Sequence, residues 1–174
     1  MPTPKPTSPT PTTGEDEVMD ALLSASRAMV ALAARSLAGL DSDVTLPQYR
    51  ALVVLASRGP QRVIDISTEL GVTASTGTRM CDRLVRKRLI RRYRTPADRR
   101  EVRLTLTPSG RALVKDVTLR RRGELTSVVQ QIPVAWRKPV TAALRAVAAA
   151  VGELPERDWW LDSQRDTYAA TDEP

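Results

Sequence analysis

The sequence predicts a mainly α-helical chain carrying one small β-hairpin, and three observations lead there. Apolar residues recur at helical spacing from Val18 to Leu37. Only one stretch, Val102 to Thr107, alternates strictly between apolar and polar residues, and a second β-like stretch, Ile90 to Arg94, precedes it across a polar turn. The chain also has no Phe, so its 41% hydrophobic content must build a core from Leu, Val, Ile and Ala, the composition of packed helices. A length of 174 residues suits one domain with tails.

Residues 1–14 are mostly Pro and Thr and are expected to be disordered. They hold no apolar h-region, which argues against a signal peptide. The first helix is expected over Glu17 to Leu40, with Val18, Leu22, Ala25, Met29, Leu32, Ala33 and Leu37 along one stripe. Glu15, Asp16, Glu17 and Asp20 suit the positive end of its dipole. Such a long Ala- and Leu-rich helix either wraps a core or pairs with a partner chain.

A polar link, Asp41 to Val44, follows. Thr45 reads as an N-cap with Pro47 in the first turn, and the second helix stops at Gly59-Pro60. Val63 is assigned to a very short strand, and a third helix runs from Ile64 to Leu70, ending at Gly71. Thr73 caps a fourth helix from Ala74 to about Lys87. In the strand Val102–Thr107, Val102, Leu104 and Leu106 are expected on one face. Thr107 and Pro108 start a fifth helix that runs to about Gln131. A sixth helix ends near Gly152, and Pro139 either begins it or kinks it. The organisation expected is a tail (1–14), an N-terminal helical segment (15–45), a central lobe (46–107), C-terminal helices (108–153) and an acidic, flexible tail (154–174).

Charge is uneven. Leu46 to Asp116 holds sixteen Lys/Arg and six Asp/Glu, a net of +10, within a chain whose formal total is +7. A cationic middle between acidic flanks points to a polyanionic partner, or else to a solvated Arg-rich surface. There is no His, and Cys81 is the only cysteine. No metal site, cofactor or internal disulfide is therefore expected, and a cytoplasmic, nucleoid-associated protein is. The longest uninterrupted apolar run, Ala28 to Ala34, is too short to span a bilayer, so no membrane partner is expected. No nucleophile–base pair or phosphate loop is visible, and Gly71 and Gly77 do not form one, so the chain is not expected to be an enzyme.

The order helix, tight turn at Gly71-Val72-Thr73, helix, basic hairpin is that of a winged helix-turn-helix. The fourth helix would lie in a DNA major groove and the hairpin would reach the neighbouring minor groove. Thr73, Ser75, Thr76, Thr78 and Arg79 suit base edges and phosphates. Arg83 suits either a phosphate or an ion pair with Asp82. Arg91, Arg92, Arg94, Arg99 and Arg100 suit an electronegative minor groove. On the opposite face, Met80, Cys81, Leu84 and Val85 are expected to pack inward.

The stretch Leu70–Arg79, then Asp82-Arg83-Leu84, Asp98-Arg99-Arg100 and Leu104–Gly110, resembles the MarR family of bacterial regulators. The resemblance runs from about Val18 to Gly152. It implies a triangular homodimer in which the first, fifth and sixth helices interlock, leaving two winged lobes to meet an inverted-repeat operator. It further implies that Asp98 and Arg100 brace the wing, that Arg99 reads the minor groove, and that the outcome is repression. A small aromatic or phenolic effector would enter a pocket lined by Arg27, Tyr49 and Arg50. Relatives often carry Gly where this chain has Arg88, so Arg88 is expected to adopt a backbone conformation that Gly takes more easily. Gln61-Arg62-Val63 is a thin match to the family's first strand.

Several residues carry competing readings. Cys81 is either an oxidant sensor, as in some relatives, or a buried and inert thiol. Trp136, Trp159 and Trp160 either line a ligand pocket, cover an interface or dock the C-terminal tail. Arg120-Arg121-Arg122 either binds DNA or forms a surface with cross-dimer ion pairs. A sequence-tolerant architectural DNA protein, and a winged helix used only for protein contacts, are the rival classes.

Overall fold

The computed structural model describes residues 13–38, 43–94 and 101–159. Expectations for most of the N-terminal tail, the link at 39–42, the hairpin tip with Asp98, Arg99 and Arg100, and Trp160 with the residues after it lie outside the described residues. The elements are α1 (Thr13–Ala38), α2 (Leu46–Arg58), α3 (Val63–Glu69), α4 (Ala74–Arg86), β1 (Ile90–Arg94), β2 (Val102–Leu106), α5 (Pro108–Gln131), α6 (Val134–Ala150) and a 3-10 turn (Glu156–Asp158). The fold is thus mainly α with one small antiparallel sheet, as the sequence predicts.

The core is centred on α2, whose Leu52 and Leu55 are buried with Ile66 of α3, Cys81 and Leu84 of α4, Ile90, Leu104 and Leu106 of the hairpin, and Val114 and Val117 of α5. Short polar side chains set the helix starts. Gln48 Oε1 accepts the Thr45 N–H (3.2 Å) at the head of α2, Thr73 Oγ1 accepts the Thr76 N–H (3.3 Å) at α4, and Thr107 Oγ1 accepts the Gly110 N–H (3.0 Å) at α5.

Of the Gln61-Arg62-Val63 stretch matched to a first strand, only Gln61 pairs: it and Leu104 exchange backbone hydrogen bonds of 3.1 and 2.7 Å, while Val63, expected in a very short strand, is the first residue of α3. This bridge makes β2 the middle of the small sheet, with β1 on its other side in the register Ile90↔Leu106, Arg92↔Leu104, Arg94↔Val102. Burial along β2 departs from strict alternation. Val102 is 42% exposed because it pairs out toward the hairpin tip, whereas Thr105 is buried along with Leu104 and Leu106. In α6 the helix starts at Val134, so Pro139 neither begins it nor ends it. Its missing N–H leaves the Ala135 carbonyl without the usual helical donor.

Arg88 has φ 57°, the only positive φ at a non-glycine among the described residues. Its N–H reaches the Val85 carbonyl (2.9 Å) and the Leu89 N–H reaches Leu84 (3.0 Å), the paired bonds of a Schellman turn. Thr107 donates to the Arg88 carbonyl at 2.6 Å, which anchors the turn to the start of α5. Arg88→Gly is expected to raise stability by about 0.5–1 kcal/mol, read as a higher urea midpoint at unchanged m-value.

Gly110 marks a closer contact than any sequence pattern discloses. A Cβ there would stand 2.0 Å from the Leu89 carbonyl oxygen and 3.2 Å from Leu106 Cδ2. The first obstacle is backbone held by the Thr107 N–H (3.1 Å), so it cannot rotate aside. Gly110→Ala is expected to destabilise the chain by about 3 kcal/mol, at the upper end for overpacking, as a lowered urea midpoint.

The outer helices contrast with this core. No residue of α6 is buried, and α1 buries only Leu32, Ser36 and Leu37. Val18, Met19, Leu22, Leu23, Met29 and Val30 of α1 and Trp136 and Leu144 of α6 are exposed. The apolar run counted in the sequence understated α1: Gly14–Ala38 is long and apolar enough to cross a bilayer, with 17% of its most apolar window buried inside the fold.

Candidate nucleic-acid interface

The packing of α4 on α3 decides which of its faces is free. Gly77 lies against Ser67, where a Cβ would come within 1.9 Å of Oγ, so the two helices meet without an intervening side chain. Ser67 is itself buried and donates to the Val63 carbonyl (2.8 Å). With Gly77, Cys81 and Leu84 turned inward, the three- and four-residue spacing of a helix turns Ser75, Thr78, Arg79, Arg83 and Arg86 outward. All five are exposed; Met80 and Val85 are half-buried at the edge of the core.

Hydroxyls cluster at the head of α4. Thr73 Oγ1 lies 3.1 Å from Ser75 Oγ and donates to Thr76 Oγ1 (3.0 Å), while Thr78 donates back to the Ala74 carbonyl (2.8 Å). Arg79 reaches only the Thr76 hydroxyl, at 3.4 Å, and is otherwise open to solvent. These side chains thus surround a helix N-terminus whose unpaired backbone N–H groups favour anions.

Asp82 pairs with neither neighbour on its own helix. Its carboxylate accepts from Arg92 of β1 at 2.5 Å, which couples the attitude of the hairpin to α4. Arg83 is thereby left exposed, without the Asp82 ion pair of its other reading. Arg91 and Arg94 project from β1 into solvent. Lys87, by contrast, is tied to Asp43 (3.4 Å). At the head of α3, Asp65 accepts from the Arg62 N–H (3.1 Å) and from its guanidinium (2.7 and 2.8 Å), and this hydrogen bonding holds the Asp65 carboxyl below its usual value.

Cys81 is buried, and desolvation pushes its thiol up to about 11. At neutral pH it is an uncharged thiol and a poor nucleophile, which favours the inert reading. The folded value lies above the ordinary 9.0, so the thiol's contribution to stability is complete below that pH and is lost as the pH rises toward 11. Iodoacetamide is expected to label Cys81 readily in denaturant and barely in the native chain at about pH 8; rapid native labelling would restore the oxidant-sensing reading.

A cleft of about 660 Å³ opens beside α2, lined among others by Tyr49, Arg50, Met80, Arg121 and Trp159. Tyr49 is buried, which raises its pKa, and the Arg121 guanidinium carbon lies 5.8 Å from its ring centre. Arg50 holds Glu153 in a two-point ion pair (2.9 and 2.5 Å). Two of the three residues the resemblance assigns to a pocket therefore line one cleft. Arg27 lies apart, exposed on α1 and donating to Ser24 (3.1 Å). Sequence reasoning missed Glu153, whose partner is 103 residues away, whereas Trp159 packs against the core and lines the cleft, in keeping with the pocket-lining and tail-docking readings. Of the arginine run, Arg122 pairs with Glu156 within the same chain.

Residues 44–102 match the model of the MarR family. The chain is 31% identical over 87 residues to an HTH-type transcriptional regulator of Bacillus subtilis, YsmB, a match covering half of this chain and 60% of that protein. It thus spans less than two thirds of the length of that curated relative. Among solved structures, RV1404 from Mycobacterium tuberculosis is 42% identical with a TM-score of 0.76, over 83% of this chain and 99% of that one. Bordetella bronchiseptica BpsR, solved to explain regulation of its DNA binding by 6-hydroxynicotinic acid, is 28% identical with a TM-score of 0.57, over 76% and 98% of the two chains.

Proposed function

This chain belongs to the MarR family, and on that footing we propose that it is a homodimeric, DNA-binding transcription regulator acting on an inverted-repeat operator. The observation that carries the reading is the outer face of α4: Ser75, Thr78, Arg79 and Arg83 exposed in one stripe, beside a β-ribbon with outward arginines. Helix N-terminus, hydroxyls and arginine together are what phosphates and base edges take. Thr73 and Thr76 order the start of that helix, and Arg94, with Arg99 and Arg100 further along, supplies the minor-groove contact.

Dimerisation is supported by the unpartnered apolar faces of α1 and α6. Soluble monomers rarely expose so much apolar surface on two helices. A second copy covering both faces accounts for the membrane-like composition of α1 without a bilayer. Two recognition helices related by a two-fold axis then meet major grooves about one helical turn apart.

Bound beside a promoter, the dimer represses by excluding polymerase. The cleft at Tyr49 and Arg50 is the effector site, and the control of BpsR by a small aromatic acid supports an effector of that kind here. A ligand that binds one spacing of the lobes better than the other shifts the population and releases DNA.

Fluorescence anisotropy with the DNA upstream of the gene, against scrambled DNA, tests the reading. Preference for the upstream DNA, with affinity falling steeply as salt rises, is the expected result. Equal affinity for both duplexes would favour the architectural alternative, and no binding at low salt would favour a protein-contact role.

A further inference from the structure

After Gly152 ends α6 in a left-handed turn (φ 71°), the chain crosses the cleft rather than leaving it. Glu153 is held by Arg50 of α2, and Arg58 donates both to the Gly152 carbonyl (3.0 Å) and to Glu69 of α3 (2.8 Å). Glu156 pairs with Arg122 of α5. Trp159 packs against the core, and its indole N–H donates to the Leu154 carbonyl (3.1 Å), folding the segment back on itself. Glu153, Leu154, Glu156 and Trp159 thus form one wall of the cleft.

We propose that Glu153–Trp159 is a strap that closes the cleft, and that a ligand enters by displacing Trp159. The inference rests on the cleft being the effector site. The strap is built to release. Its ion pairs are partly exposed on both sides, and pairs of that kind contribute little. Leu154 and Val151 remain exposed, which leaves the Trp159 ring as the segment's main apolar anchor. A segment with few buried apolar contacts belongs to the part of a fold that opens locally at low free energy. The strap also leaves a donor unused: it engages Arg50 and Arg122, yet Nε of Arg121 is buried with no hydrogen-bond partner. A molecule that replaces the indole and accepts from Arg121 gains what the strap does not supply.

The sequence holds three tryptophans, so the full chain carrying Trp136→Phe and Trp160→Phe reports on Trp159 alone. Acrylamide quenching of its emission is measured while anilinonaphthalene sulfonate, an apolar anion, is titrated in. Trp159 is expected to be shielded at first and to become quenchable as the probe binds. In the otherwise unaltered chain, Trp159→Ala should bind the probe about tenfold more tightly, the factor by which a strap open about a tenth of the time lowers apparent affinity. Trp159 as quenchable as free indole from the outset, or probe binding that leaves it shielded, overturns the proposal. If Trp159→Ala does not fold, the quenching measurements decide the matter alone. No DNA is present, so failure of the regulatory reading and failure of the strap are separately visible.

Discussion

Arg79→Ala is expected to weaken operator binding by about 1–3 kcal/mol per half-site, and so by up to twice that in the dimer. Arg79 stands on the outer face of α4, one turn beyond the capped helix start, with only a 3.4 Å contact to Thr76 to hold it. Nothing in the core depends on it, so thermal stability and oligomeric state should stay at parent values while anisotropy registers the loss. If Arg79 reads a base, the loss should be largest on the parent operator and smaller on scrambled DNA. If it meets phosphate, the loss should be uniform and the salt slope should fall by about one. Unchanged affinity on both duplexes would mean that α4 does not enter the groove.

The second large effect is expected far from DNA. Leu144 is 54% exposed on α6, a helix with no buried residue. Leu144→Glu should leave the core folded, with parent-like circular dichroism. In the dimer, however, it would place a carboxylate within an apolar interface, where an unpaired charge is costly. Sedimentation velocity should shift from dimer to monomer. Operator affinity should fall by about 100-fold or more as the second lobe ceases to be tethered to the first. A monomeric parent, or a monomeric variant with full affinity, would remove the two-lobe geometry.

What the sequence disclosed was mostly local. Thr73 and Thr107 announced their helices because a cap is a relation between residues three apart, whereas the strained turn at Arg88 was legible only through the resemblance, in which relatives carry Gly there. The winged lobe followed from element order. The outward stripe of α4 followed from periodicity, since the apolar positions Cys81 and Leu84 fix the opposite face. What stayed hidden depends on distant chain meeting distant chain. Gly77 and Gly110 look like ordinary glycines until Ser67 and the Leu89 carbonyl are placed against them. Asp82 was offered Arg83 by proximity, but the hairpin brought Arg92 to it. The alternation of β2 promised a polar Thr105 in solvent, whereas a two-sided neighbourhood buries it. Of the first strand read at Gln61 to Val63 only Gln61 pairs, because a single bridge leaves almost no pattern in sequence. Arg50 and Tyr49 could be named only through resemblance, and Glu153 could not be named at all.

Hydroxyl-radical footprinting on the upstream DNA tests the central claim most directly. Two protected patches, symmetric about one point and about 10 base pairs apart from centre to centre, are the result required if two copies each lay α4 in a major groove. A single patch, or even protection along the duplex, would contradict it.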